Sequence, residues 1–274
     1  MIVFPHCKIN LGLRITGRRN DGYHNLDTVF YPVPLCDVLE IIATPSAERP
    51  LLSLYGIPVA GPPDQNLCTR AWELLKQDFP DLPAVHIHLF KNIPTGAGLG
   101  GGSADGSFML RLLNARFRLQ IAAARMSAYA LQLGSDCPFF LDDQPSHGTG
   151  RGDILTPVPV SLAGYTLVLL NPNIHISTAE AFRQYSTGGS ASPQLSTATA
   201  VTAPIQSWKD TLANDFEPGI FAAYPLIRQL KDSLYAAGAL YAALSGSGST
   251  VFGIFSRQNA TGISFPQDAT VINL

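Results

Sequence analysis

Apolar and polar positions alternate in KINLGLRI (8–15). Ile9, Leu11, Leu13 and Ile15 fall on one side, and Lys8, Asn10, Gly12 and Arg14 on the other. A period of two predicts a strand with one buried face, so Lys8 and Asn10 project together from the opposite face. RRNDGYH (18–24) carries an Asp-Gly turn signal, which predicts a hairpin returning the chain through LDTVFYPV. VLEII (38–42) and AVHIHLF (84–90) read as further strands, the second running straight into a glycine-rich segment. Between them the period changes: Leu67, Ala71, Leu74 and Leu75 form a helical stripe over 66–78. After the glycines, Phe108, Met109, Leu112, Leu113 and Phe117 repeat at helical spacing, with Ser103 where an N-cap belongs. A helix over 121–133 is predicted to stop at Gly134. Residues 225–238 predict another, followed by LSGSGSTVFGIF (244–255), a second glycine/serine turn entering a strand. The small polar residues and proline of 186–204 predict a flexible surface loop. Strands and helices mix without a regular βαβ rhythm, so the pattern favours α+β over a doubly wound sheet. No internal repeat is visible.

Composition narrows the class. The 274 residues are 46% hydrophobic and 14% charged, an ordinary globular balance with room for a sizeable core. A formal net charge of −2 supplies no broad basic field, so neither nucleic acid nor an anionic membrane is an expected partner. Cys7, Cys36, Cys68 and Cys137 are widely spaced with no CxxC pair, which suits a reducing compartment. MIVFPHCKIN does not read as a signal peptide. No apolar stretch approaches the ~20 residues of a membrane span. The expectation is a soluble cytoplasmic protein.

The chemistry concentrates in PTGAGLGGGSAD (94–105), which holds five glycines in twelve positions. Glycine costs stability inside an element, so such a cluster points to close approach by a ligand. At a helix N-terminus the favoured ligand is a phosphate. Gly96, Gly98 and Gly101 match GxGxxG, but no Asp or Glu occurs between Asp105 and Asp136, where a dinucleotide site wants a ribose-binding acid. A Walker A loop fails too, because the segment ends Gly-Gly-Ser with no lysine. A bare strand-to-helix connection would need only one or two glycines.

PTGAGLGGGSAD resembles the phosphate loop of the GHMP kinases, small-molecule kinases that include those for galactose, homoserine and mevalonate. KINLGLRITGRRNDGYHNL resembles their first motif and LSGSGSTVFGIF their third. With LGSDCPFF and GTGRGDILTPV these segments span most of the chain in the family's order. The match is nearest to the branch that phosphorylates a cytidyl diphospho-sugar alcohol in the non-mevalonate isoprenoid route. Residues 186–204 match nothing in the family.

The resemblance implies an α+β, two-lobed GHMP kinase fold with the active site in the cleft between the lobes. Residues 1–147 would form the ATP-binding domain and 148–274 the substrate-binding domain. It implies ATP and Mg²⁺ as cofactors, held by Pro94, Gly96, Gly98, Leu99, Gly100, Gly101, Gly102 and Ser103. Ser103 would reach the metal, Asn66 would lie near the nucleotide, and Gly246, Ser247 and Gly248 would form the third glycine motif. Asp136, past a helix end among apolar residues, is the best candidate to receive the acceptor's proton, since an unpaired carboxylate there is costly. The family supplies Lys8 as its cationic partner, which would also offset charge on the γ-phosphoryl group. The plain alternative for this pair is a structural salt bridge. Asn10, Tyr23, His24 and Phe182 would bind substrate, the aromatic faces holding a cytosine. Taken alone they read as hairpin and core residues. His86 and His88 have no third ligand in view and read as a solvated strand face. The expected assembly is a monomer or weak dimer. The same chemistry on homoserine or a mevalonate derivative, and an inactive nucleotide-binding regulator of this fold, are the competing possibilities.

Overall fold

The computed structural model describes residues 1–185, 195–257 and 269–274. In chain order the strands and helices of the first half are β1 (Ile2–Val3), β2 (His6–Arg18), β3 (His24–Cys36), β4 (Val38–Ala43), β5 (Leu51–Gly56), α1 (Leu67–Asp78), β6 (Val85–Lys91), α2 (Gly101–Phe117) and α3 (Ala123–Leu133). The second half holds β7 (Ser146–Thr149), β8 (Ile154–Pro157), β9 (Tyr165–Leu170), α4 (Thr178–Gln184), α5 (Thr197–Ala200), α6 (Trp208–Thr211), α7 (Glu217–Ala223), α8 (Pro225–Ala236), β10 (Tyr241–Leu244), β11 (Val251–Ser256) and β12 (Ala269–Asn273). This α+β chain forms two compact units, neither contiguous in sequence.

One unit comprises Met1–Cys7, Val33–Thr95 and Gly100–Asp143. Its sheet runs β1-β4-β6-β5, with β5 parallel to β6 and the other pairs antiparallel. Leu39, Ile41, Val85, Ile87 and Leu89 are buried along β4 and β6, as alternation demands of a sheet with one core face. His86 and His88 lie on the other face, where Ser53 Oγ meets His86 Nε2 at 2.9 Å and Tyr55 Oη meets His88 Nδ1 at 3.2 Å. Helices α1 and α2 approach closely at Gly106, where a Cβ would stand 2.9 Å from Leu67 Cβ. The stripe over 66–78 is α1, capped by Asn66, whose Oδ1 accepts from the Cys68 amide at 2.9 Å. Helix α3 stops before Gly134 as expected, but that glycine has φ 174° and closes the helix in an extended conformation.

The other unit comprises Lys8–Pro32, Gly96–Leu99 and Gln144–Leu274. Its antiparallel sheet β10-β11-β9-β12 buries Val168, Leu170, Leu244, Val251 and Phe255 with Phe216, Ile220, Ile227 and Leu234 from the helical side. A second sheet, β2-β3-β7-β8, has most of β2 and β3 in this unit and their outer ends in the first. Strand β2 departs from the one-faced expectation, because every residue from Cys7 to Leu13 is buried. Lys8 and Asn10 are tolerated there because their polar ends find partners.

The expected loop at 186–204 is corrected over its second part; residues 186–194 lie outside the described residues. Residues 197–200 form α5, with Thr197, Ala200 and Val201 buried. The turn is pinned by Asp27, whose Oδ1 accepts from the Thr197 amide at 3.1 Å and from the Thr197 hydroxyl, and meets His147 Nε2 at 3.0 Å. Three polar contacts to one half-buried carboxylate are what a composition of small polar residues cannot announce.

Candidate active site

The glycine-rich segment is divided by side-chain direction. Ala97 and Leu99 are buried, while Gly96, Gly98 and Gly100 take φ of +64°, +76° and +71°. L side chains rarely adopt that region. At Gly98 there is also no room: a Cβ would stand 1.9 Å from the carbonyl oxygen of Ser245. The glycine-rich segment and the third glycine motif thus meet main chain to main chain. Ser245 Oγ donates to the Gly98 carbonyl at 3.0 Å, and the Thr250 amide donates to the Ala97 carbonyl at 3.2 Å. At Gly96 a Cβ would fall 2.0 Å from His175 Nδ1.

Lys8 enters this knot from β2. Its backbone N–H donates to the Leu99 carbonyl at 3.0 Å, and its Nζ donates to Gly98 O at 3.1 Å and to Asn10 Oδ1 at 2.7 Å. Asn10 Nδ2 passes the chain on to Thr28 Oγ1 at 2.9 Å, and the Thr28 hydroxyl donates to the Gly12 carbonyl. The Phe30 ring lies 5.3 Å from the Lys8 ammonium. Gly246, at φ +55°, completes the arrangement: a Cβ there would lie 3.3 Å from Lys8 Nζ and 3.4 Å from Asn10 Oδ1. An ammonium is held where two glycine turns cross, bonded to the Gly98 carbonyl and the Asn10 amide oxygen. That is an anion-binding constellation.

In the first unit the segment continues into α2. Gly100 is the N-cap and Gly101 the first helical residue, so Ser103, expected as the cap, lies in the first turn three residues past it. Its hydroxyl instead reaches Cys137, which also lies against Ser107. Burial pushes the Cys137 thiol up to about 11, against the pull of those two hydroxyls. Gly102 faces open space, with nothing within 4 Å of a Cβ built on it. Asp136 is half-buried at the head of the 3₁₀ turn Cys137–Leu141, whose residues Cys137–Phe140 are buried.

The aromatic residues are placed unevenly. His24 and Phe182 stack directly, centroids 4.5 Å apart at 13°, and Phe216 meets Phe182 edge-on at 5.0 Å. Tyr23, 56% exposed, instead stands beside Arg151, whose guanidinium carbon is 4.9 Å from the ring centroid. His24 and Phe182, far apart in sequence, are therefore one platform; no base-wide slot separates their rings.

Two family models match in succession, the GHMP kinases N terminal domain over residues 66–145 and the GHMP kinases C terminal over residues 204–264. A 4-diphosphocytidyl-2-C-methyl-D-erythritol kinase of Bacteroides fragilis is 50% identical over 257 residues, covering 93% of this chain and 92% of that protein. The chain belongs to the GHMP kinases. A Bacteroides thetaiotaomicron kinase of the same name is 47% identical over 256 residues, covering 93% of this chain and 92% of that one. Among solved structures, that of a 4-(cytidine 5'-diphospho)-2C-methyl-D-erythritol kinase matches with a TM-score of 0.78 at 30% identity, covering 93% of this chain and 90% of its own. A homoserine kinase from Cytophaga hutchinsonii shares the fold, with a TM-score of 0.70 at 14% identity over 99% of this chain and 92% of its own. This GHMP kinase is therefore an enzyme, an ATP-dependent phosphotransferase, and not an inactive nucleotide-binding regulator. Among the described residues no helix is long and apolar enough to cross a membrane.

The sequence pattern of this GHMP kinase leaves one buried cluster unmarked. Lys91, at the end of β6, donates to Asp105 Oδ2 at 2.6 Å and to Asp37 Oδ2, all three side chains being essentially inaccessible. Asp37 Oδ1 also accepts from the Asn92 and Ile93 amides, at 2.6 and 2.8 Å. Burial pushes Asp105 up to about 8; Lys91 pulls against this and Asp37 adds to it. Gly101 sits over the cluster, its built Cβ 3.4 Å from Lys91 Nζ. Asp105 was visible as the last residue of the glycine segment. Asp37, one acid between two strands, carried no sequence signal.

Proposed function

We propose that this kinase transfers the γ-phosphoryl group of ATP to the 2-hydroxyl of 4-diphosphocytidyl-2-C-methyl-D-erythritol, a step of non-mevalonate isoprenoid precursor synthesis. The observation that carries this reading is the 50% identity, over 93% of the chain, to a relative bearing that substrate in its name.

Phosphoryl transfer asks a protein mainly for positioning and charge stabilisation. The backbone N–H groups of the glycine segment, with the first turn of α2, hold the ATP phosphates at Gly96–Ser103, and Pro94 shapes the entry. Leu99 is buried, so it contributes its main chain only. Asn66 helps from its position at the head of α1. Lys8 places positive charge at the crossing of the glycine turns, and Asn10 orients its ammonium. Asp136 accepts or orients the hydroxyl proton of the acceptor. Among the described residues no group of three or more His, Cys, Asp or Glu is gathered for an ion. Mg²⁺ needs no such cage, since it usually travels on the nucleotide's phosphates with one or two protein oxygens. Ser103 Oγ is the protein oxygen that fits, and the ion supplies charge neutralisation at the phosphates. The His24–Phe182 platform binds the cytosine on a ring face, and Tyr23, next to His24 in the chain, contributes to the acceptor site.

Product-style inhibition tests the substrate class. CDP should compete with the cytidyl acceptor and not with ATP. Phe182→Ala should raise the acceptor's KM about tenfold, the lower part of the ~1–3 kcal/mol a stacked base is worth, with KM for ATP little changed. Competition by CDP against ATP alone, or none at millimolar concentration, would overturn the assignment.

A further inference from the structure

Asn214, in LANDFEP (212–218), lies outside every family motif recognised above and is 2% exposed. All its side-chain hydrogen-bonding groups are engaged. Nδ2 donates to Leu244 O at 2.9 Å and to Gly246 O at 2.8 Å, and Oδ1 accepts from the Phe216 amide at 2.9 Å. Its neighbours fasten it to β2. The Leu13 amide donates to Ala213 O and the Asp215 amide to Leu13 O, both at 2.8 Å, and Asp215 Oδ2 accepts from the Ile15 amide at 2.8 Å. Gly12, at φ +73°, lets this segment lie close: a Cβ there would meet Leu212 Cδ2 at 3.0 Å. Residues 213–215 thus tie the strand carrying Lys8 and Asn10 to the turn that follows β10, with Asn214 making the bonds to the turn.

The consequence lies in the peptide plane. In a trans peptide the carbonyl and the following N–H point in opposite directions. The Gly246 carbonyl is drawn toward buried Asn214, so the Ser247 N–H is turned away from Asn214. Among the described residues that N–H donates to no backbone acceptor, and Ser247 is only partly buried. Gly246 itself faces Lys8 Nζ, Asn10 Oδ1 and Gly98 O. A backbone N–H turned away from Asn214, in a turn whose Gly246 faces an ammonium, is a preorganised donor for an anion, and its value depends on its direction being fixed in advance.

We infer that Asn214 is a positioning residue: it turns the Gly246–Ser247 peptide so that the Ser247 N–H donates to a phosphate oxygen next to Lys8. The inference rests on the phosphoryl-transfer reading of this site. The phosphate belongs either to ATP or to the diphosphate of the acceptor, and the two are told apart by separate titration.

The test follows the Ser247 amide resonance in ¹⁵N-labelled protein titrated with ADP and, separately, with CDP, alongside kcat, KM and melting temperature. In the parent protein the resonance should shift with one nucleotide, naming the source of the phosphate. Asn214→Asp keeps the shape but sets a carboxylate against two carbonyls. It should abolish the shift and lower kcat at least tenfold, beyond any loss explained by unfolded protein. If that variant does not fold, Asn214→Ser, which keeps one donor, carries the same two readouts with a smaller loss. A Ser247 amide silent to both nucleotides in the parent would overturn the inference. So would a variant that melts earlier yet keeps parental kcat, for then Asn214 is only a strut. The titration does not depend on which alcohol is phosphorylated, so a parent protein inactive on the cytidyl acceptor would contradict the proposed substrate and leave the Ser247 shift to decide this question.

Discussion

Lys8 and Asn10 are polar side chains in the buried middle of β2, at 3% and 2% exposure, and an amino group placed there without partners would cost several kcal/mol. The cost is offset by the Asn10 amide oxygen and the Gly98 carbonyl, which also fix where the ammonium stands. Lys8→Met keeps the length and apolar stem but removes the charge. It should leave the melting temperature near that of the parent while lowering kcat by about 10² or more, the scale of a lost charge-stabilising donor; parallel calorimetry and steady-state rates check this. Asp136→Asn should likewise lower kcat about 10²-fold with ATP binding retained. Near-parental turnover would return Asp136 to a structural part. Asp105 makes a separate prediction about stability. Its folded value of about 8 lies above its ordinary 3.8, so between those limits the folded state holds more protons than the unfolded one. Stability contributed by this group therefore falls as pH rises from about 4 to about 8. Asn at 105 does not titrate, so the melting temperature of Asp105→Asn relative to the parent should rise steadily over pH 5 to 8.5. Parallel curves would contradict the raised value.

At the level of elements, the glycine turns show what a sequence can and cannot disclose. The concentration of glycine before α2 was legible because chain conformation and close approach both demand it, and Gly96, Gly98 and Gly100 do take positive φ. Strands β2, β3, β4 and β6 and helices α1, α2, α3 and α8 were legible from periodicity, since each has an apolar repeat long enough to register. The start of α2 was misjudged because Ser103 is a good capping residue while Gly100, which caps without a side chain, leaves no chemical mark. Strands β7 and β8 are four residues each, too short for alternation to stand out. The crossing of Gly98 with Ser245 joins residues 147 positions apart, which no local pattern encodes, and the same holds for the His24–Phe182 stack. Gly100→Val tests the phosphate loop directly. A β-branched residue at φ +71° is strained, so KM for ATP should rise at least tenfold while that of the acceptor stays within about twofold. Equal weakening of both, or a fall in melting temperature alone, would make the turn a structural one.

For the whole molecule, fold and substrate are separate questions. A homoserine kinase 14% identical to this chain shares its fold with a TM-score of 0.70, so architecture alone does not choose an acceptor. The choice belongs to the side chains that meet the acceptor. In the reading proposed above these are the stacked rings of His24 and Phe182. A site built to grip a ring and its polar edge discriminates strongly against compounds lacking them. The most direct measurement is the turnover of 4-diphosphocytidyl-2-C-methyl-D-erythritol beside homoserine and mevalonate under one set of ATP and Mg²⁺ conditions, with ³¹P NMR locating the new phosphate. The cytidyl compound should be phosphorylated at its 2-hydroxyl with kcat/KM at least about 10³-fold above the other two, on the scale by which buried recognition groups reject unmatched substrates. Comparable or faster phosphorylation of homoserine or mevalonate, or a phosphate on another hydroxyl of the cytidyl compound, would contradict the assignment.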